Sequence, residues 1–161
     1  MDLMQKVFNY QVFLDPPRFF NPGMEAAGCY LTCGDKVLLV KRQSTKSQGN
    51  KWGVPAGKLE KNEDSLSAVI REMQEEVGIF LTPELLCKFK TLYIRLTDLD
   101  YIFHMYYSKF TEIPSIKLDF AENQASCWST VRDALKMPLI ASGREALLYY
   151  NSFLSLSKKP A

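Results

Sequence analysis

The chain reads as an α+β fold, a mostly β protein with one central and one terminal helix. Three observations carry that reading. Apolar and aromatic stretches bounded by turn residues recur at 24–32, 37–42, 87–96 and 100–110, as in strands of a partly buried sheet. Residues 65–77 place Leu66, Val69, Ile70, Met73 and Val77 on one stripe at helical spacing. Residues 142–156 form a second long helical pattern near the end. At 161 residues the chain is about one domain's worth of protein. The expected division is an N-terminal arm over 1–23 that packs on the body, a domain over 24–156 and a flexible tail over 157–161.

In the arm, Asp15-Pro16-Pro17 and Asn21-Pro22-Gly23 mark turns, since proline fixes φ and glycine tolerates positive φ. Arg18, Phe19 and Phe20 between them are too apolar for a free linker. Residues 24–32 are small and apolar, as in a buried strand, and Cys33-Gly34-Asp35-Lys36 turns the chain into a second strand over 37–42. The polar stretch 43–51 is a loop. Trp52-Gly53-Val54-Pro55-Ala56-Gly57 follows as one short extended piece, which Pro55 confines to a sheet edge or end. Asp64 is placed to cap the central helix, and Gly78 to end it in the left-handed conformation. Strands over 87–96 and 100–110 flank the turn Thr97-Asp98-Leu99-Asp100. A strand over 125–129, a short helix over 130–136 and the long helix over 142–156 complete the order.

Hydrophobic residues make up 47% and charged residues 24%, which excludes a disordered tail, a collagen-like repeat and a disulfide-framed miniprotein. No apolar run approaches the ~20 residues of a membrane helix. Met1-Asp2-Leu3-Met4-Gln5-Lys6 has no basic stretch leading into an apolar core, so no secretory signal is expected. Cys29, Cys33, Cys87 and Cys127 lack paired zinc-ligand spacing and are expected as reduced core residues of a cytoplasmic protein. A net charge of +2 is too small to expect binding to long nucleic acid.

Chemistry concentrates in the central helix. Glu72, Glu75 and Glu76 fall within about 100° of arc, opposite the Leu66/Ile70/Met73 stripe. Their i, i+3 and i, i+4 like charges, close to the negative end of the helix dipole, disfavour the helix unless something neutralises them. A bound divalent cation reverses that balance, because Mg2+ and Mn2+ prefer hard oxygen ligands. Ala68, one turn earlier, is expected to leave open space above the carboxylates. Just before the helix, Gly57 follows a strand end, Lys58 to Asn62 form a polar loop with Asn62 suited to a left-handed position, and Glu63 precedes the helix start.

Gly57, five residues, Glu63, seven residues, and Arg71-Glu72-Met73-Gln74-Glu75-Glu76-Val77-Gly78-Ile79 together resemble the Nudix box of the Nudix hydrolases. Seven fixed residues at this spacing arise by chance on the order of once in a million such chains. The resemblance extends upstream through Trp52 to Gly57 and downstream to Glu122, six residues before Trp128. It covers about residues 24–156. Asn62 stands where many members carry glycine.

The resemblance implies a Nudix-type α/β/α sandwich around a mixed β-sheet and Mg2+-assisted (or Mn2+-assisted) attack of water on phosphorus in a diphosphate linkage. It also implies residue roles. Glu72, Glu75, Glu76 and the Ala56 carbonyl would hold metal, with Glu63 auxiliary and Glu122 as an outlying ligand. Glu72 would be the general base, oriented by Arg71, with Glu122 its rival. Lys58, inside the box, and Gly57 would border the substrate.

Lys41, Arg42, Lys46 and Lys51 precede the box and either face substrate phosphates or are solvated surface, with Arg42 and Lys51 the expected substrate contacts among them. Tyr101, Phe103, Met105 and Tyr107 share one strand face and Ile102, His104 and Tyr106 the other. That first face is either a nucleobase platform or a covered core, and Tyr93 or Tyr106 is a candidate for a pocket rim. His104, the only histidine, is expected to be held by a hydrogen bond in the sheet. The expected substrate is a small nucleotide such as a (d)NTP or nucleotide sugar. Dinucleoside polyphosphates and RNA 5′ ends are alternatives, as is a catalytically silent nucleotide-binding module. An isopentenyl-diphosphate-isomerase-like activity is disfavoured, since no cysteine is placed for it. Either a monomer or a homodimer is compatible with the arm.

Overall fold

A computed structural model describes residues 9–158. Its centre is an eight-stranded mixed sheet. The strands are β1 (Tyr10–Phe13), β2 (Pro22–Cys33), β3 (Lys36–Arg42), β4 (Trp52–Gly53), β5 (Ala56–Lys58), β6 (Cys87–Leu96), β7 (Asp100–Phe110) and β8 (Asn123–Thr130). The helices are α1 (Ser65–Val77), α2 (Val131–Ala134) and α3 (Gly143–Ser157). The main path runs β1-β6-β7-β2-β3-β4, with β5 on β2 and β8 on β3. Among the described strands the long β2–β7 pairing is parallel and the other strand pairings are antiparallel.

Alternation along the strands sends successive side chains to opposite faces and so builds two cores. Ala27, Cys29, Leu31, Leu38 and Val40 pack with Val69, Met73 and Val77 of α1. Tyr30, Leu39, Phe103 and Met105 pack with Ala146, Leu147 and Tyr150 of α3. The two long helices therefore cover opposite faces of one mixed sheet, the sandwich arrangement that the box resemblance implies. Tyr150 locks α3 down: its ring stacks on Tyr30 at 4.8 Å. Its hydroxyl shares a 2.5 Å hydrogen bond with Thr32 Oγ1.

Several expectations change. Within the arm, Tyr10–Phe13 forms an edge strand on β6, with Val12 opposite Ile94, and the Tyr10 hydroxyl donates to the Glu145 carboxylate at 3.0 Å. Four residues are too few to show a period in sequence. Residues 1–8 of the arm and 159–161 of the tail lie outside the described residues. Ser157 is the last residue of α3 and Lys158 its cap. The piece from Trp52 to Gly57 is two strands, because Val54-Pro55 breaks the pairing between β4 and β5. A 3-10 turn at Pro83–Leu85 had no sequence counterpart. Cys29 is a core residue, but Cys87 is exposed at the start of β6, so it is not the core thiol expected. Among the described residues no helix is long and apolar enough to cross a membrane.

Candidate active site

Local chemistry fixes α1 at both ends. The Asp64 carboxylate accepts the Ser67 N–H at 2.8 Å. Gly78 takes φ 70° and donates to the Gln74 carbonyl, while Ile79 N–H reaches back to Met73. In the preceding loop Asn62 adopts φ 63°, as expected of it. The Glu63 carboxylate accepts the Glu60 N–H at 3.0 Å.

The helix face differs from its sequence reading. Glu75 is exposed as expected, but Glu72 and Glu76 are not opposite the buried stripe: Ala68, Val69, Glu72, Met73, Glu76 and Val77 are the buried residues. Glu76 falls at the middle of that arc, and Glu72 and Glu76 are only 9% and 8% exposed. Ala68 is fully buried and opens no space; its small side chain lets α1 settle against the sheet. Hydrophobic stripe counting misplaced this face because it assigns every carboxylate to solvent.

Burial and the nearby Glu72 push the Glu76 carboxyl up to about 8; Glu122 adds to this, while the Ala56 N–H and Arg42 oppose it. The Asn123 amide donates to Glu76 over a long 3.5 Å. Burial also raises Glu72, outweighing the guanidinium beside it. Both groups lack enough positive charge around them.

Arg71 ties the rest together. Its Nη1 donates to Glu72 at 2.7 Å and to Glu75 at 3.1 Å. Nε and Nη2 grip Glu63 at 2.9 and 2.8 Å, and Nη2 also reaches the Lys58 carbonyl at 3.0 Å. This bidentate pair, helped by the Glu60 N–H, holds the Glu63 carboxyl down at about 2. Glu63, Glu72 and Glu75 thus share one guanidinium, and Glu76 lies beyond its reach.

The other expected residues are spread around this centre. Glu122, in the turn before β8, is near enough to raise Glu76, but its carboxylate pairs with Lys46 Nζ at 2.9 Å. On the α3 side of the sheet lies a cavity of about 310 Å³ lined by Ala26, Tyr101, Phe103, Leu139 and Leu147. Arg42, Ala56, Gly57 and Lys58 also line it. Lys51 pairs through its main chain with Arg42 but does not line the cavity. Tyr101 and Phe103 belong both to the core and to the cavity wall. Tyr106 instead shares a hydrogen bond with Ser65 Oγ at 2.6 Å, and Tyr93 packs on Phe20, so neither rims this cavity. His104 lies on the other face, between Lys88 Nζ and Glu25 Oε2, each at 2.9 Å. Sequence reasoning passed over Asn123 and Gln48, ordinary polar residues whose positions only the fold reveals.

Among the described residues no three carboxylate, imidazole or thiol groups already converge on one point. The donor set nevertheless fits a hard divalent cation: the candidate ligands are oxygens, and two carboxylates are buried with raised proton affinity. At Gly57, a β-carbon would fall on the Glu72 carboxylate, so the strand can approach only without a side chain there.

The NUDIX domain model matches residues 23–150. Over 57 residues, 35% of this chain and 51% of the relative, the sequence is 40% identical to an 8-oxo-dGTP diphosphatase of Proteus vulgaris. Over 73 residues, 45% of this chain and 55% of the relative, it is 34% identical to the 8-oxo-dGTP diphosphatase of Escherichia coli (strain K12). The matched stretches span about half the length of these relatives. In fold, the NUDIX domain of Shewanella oneidensis NrtR, solved as a complex with ADP ribose, superimposes with a TM-score of 0.71 at 21% identity, covering 86% of this chain and 92% of that one.

Proposed function

The chain belongs to the Nudix family, and from that premise we propose that it is a divalent-cation-dependent pyrophosphohydrolase acting on a small nucleotide, such as a (d)NTP or a nucleotide sugar. The observation that carries this reading is the pair of buried glutamates, Glu72 and Glu76, whose ionisation is disfavoured until positive charge arrives. The 8-oxo-dGTP diphosphatase relatives and the ADP-ribose-bound neighbour support a nucleotide with a diphosphate linkage.

In this reading Glu72, Glu75, Glu76 and the Ala56 carbonyl hold Mg2+ or Mn2+. Glu122 joins them and Glu63 serves through Arg71. When bound, the cation neutralises phosphate oxygens and lowers the pKa of water. Glu72 accepts the proton of the attacking water, and burial raises its proton affinity in the direction that a general base needs. Arg71 keeps the Glu72 carboxylate oriented through its 2.7 Å bond. The water oxygen forms the new bond to phosphorus, and the bridging P–O bond breaks with the leaving phosphate taking its electrons. Arg42 and Lys58, at the cavity, bind the phosphates, and Gly57 lets the substrate and Glu72 come close.

The test is a chromatographic screen of dNTPs, ADP-ribose, other nucleotide sugars and dinucleoside polyphosphates, with Mg2+ and with EDTA. Mg2+-dependent cleavage, lost in the double variant Glu75→Gln/Glu76→Gln, supports the reading. Tight binding with no product on long incubation favours a nucleotide-sensing module instead.

A further inference from the structure

We propose that the cavity selects a uracil or thymine base over guanine and that Gln48 is the residue that reads it. The inference rests on the nucleotide reading above and deepens it.

The wall is acceptor-poor. No Asp, Glu or Asn lines the cavity. Three main-chain oxygens around it already accept hydrogen bonds: Ser47 O from Arg42 Nε, Ile140 O from Gly143 N–H and Ser142 O from Ala146 N–H. The hydroxyls of Tyr101 and Ser142 face each other at 3.2 Å. Ser47 has a hydroxyl that can play either part.

Gln48 is a donor here, and the reason is geometric. The Ala141 N–H lies 2.6 Å from its side-chain oxygen, and an N–H can only donate, so the carboxamide is oriented with oxygen toward Ala141. That leaves the NH2 group, which has no hydrogen-bond partner among the described residues. Gln48 itself sits at φ 55°, an unfavourable backbone state for a residue with a β-carbon. The loop holds it through the Lys51 N–H on its carbonyl at 3.3 Å. A half-buried amide fixed at one end and free at the other is placed to meet an acceptor on a ligand.

Base chemistry then decides. Guanine brings three N–H bonds on its pairing edge into a wall with little to accept them, and each one left unpaired on burial weakens binding. Uracil and thymine bring a single ring N–H and two carbonyl oxygens, the complement of a donor. The thymine methyl also suits the apolar side chains of Leu139 and Ile140.

The test compares kcat/KM for dTTP, dUTP, dCTP, dATP, dGTP and 8-oxo-dGTP at one Mg2+ concentration, for the native protein and for Gln48→Glu. That variant keeps an oxygen facing Ala141 and puts a carboxylate oxygen where the NH2 was; its added charge acts on every nucleotide alike, so the ratio is what is read. The native protein is expected to prefer dTTP and dUTP over both guanine nucleotides by roughly tenfold or more. Gln48→Glu is expected to erase most of that ratio, chiefly through KM, with an unchanged melting temperature. Guanine turned over as well as thymine, or a ratio indifferent to Gln48→Glu, overturns the inference. Turnover of no nucleotide overturns the hydrolase reading instead. Base preference is then read from calorimetric binding of dTMP and dGMP, where dGMP binding as tightly as dTMP overturns the inference by itself.

Discussion

The Glu72 carboxylate occupies the space where a β-carbon on Gly57 would stand. Strand β5 and helix α1 approach this closely because the strand contributes no side chain at that point. Glu72 cannot simply swing aside, since it is buried and held by Arg71. The same contact sets both the helix position and the orientation of the proposed base.

Gly57→Ala is therefore expected to displace Glu72 while leaving the sheet intact. A shift of this kind at a reacting group lowers the rate by about a hundredfold. Steady-state kinetics beside a melting curve checks it; full activity in a folded Gly57→Ala protein would remove Glu72 from the chemistry.

Arg71→Lys tests the guanidinium. A lysine has one point charge where Arg71 makes bonds to Glu63, Glu72, Glu75 and the Lys58 carbonyl. The expected loss is about 1–3 kcal/mol of stability at pH 7, with kcat falling more than KM rises. Denaturant melts and kinetics on one preparation read both. A lysine variant as stable and active as the native protein contradicts the role assigned to the network.

The pH dependence has a definite sign. The Glu76 carboxyl lies at about 8 in the folded chain, above the ordinary glutamate value of 4.5, so the folded state binds the proton more tightly than the unfolded state. Its contribution to stability is complete below about 4.5 and is lost as pH rises through 8. Glu63, held at about 2, acts in the opposite sense and in a lower window: its contribution is present above 4.5 and is lost as pH falls toward 2. Melting temperatures in EDTA should thus decline from pH 5 to pH 8.5, and Glu76→Gln should flatten that decline. A flat native profile would show that Glu76 titrates normally.

In the proposed site Lys46 and a divalent cation would compete for Glu122. The Lys46–Glu122 pair is about two-fifths exposed on both sides, so it is weak enough to exchange. Lys46→Met is expected to tighten Mn2+ binding roughly twofold to fivefold in the absence of nucleotide. Unchanged affinity takes Glu122 out of the ligand set.

Much of this architecture was legible in the residues. The α1 boundaries, the caps at Asp64 and Gly78 and the left-handed Asn62 follow from local chemistry that tertiary contacts did not override. Strands β6 and β7 were equally clear, since alternation and turns mark them. The burial of Glu72 and Glu76 was not legible, because it depends on a neighbouring strand with Gly57 and the Ala56 N–H in place to receive carboxylates. Nor was β1, whose four residues acquire meaning only from the partner strand. The pairing of Glu122 with Lys46 and the orientation of Gln48 are long-range contacts, about which spacing along the chain is silent.

Mn2+ titrated by electron paramagnetic resonance into the native protein and into Glu76→Gln, at pH 8 and without nucleotide, tests the buried carboxylates most directly. The buried carboxylates as a cation site predict saturable Mn2+ binding to the native protein and its loss in Glu76→Gln, which should itself melt at or above the native temperature. Equal Mn2+ affinity in the two proteins would contradict the account.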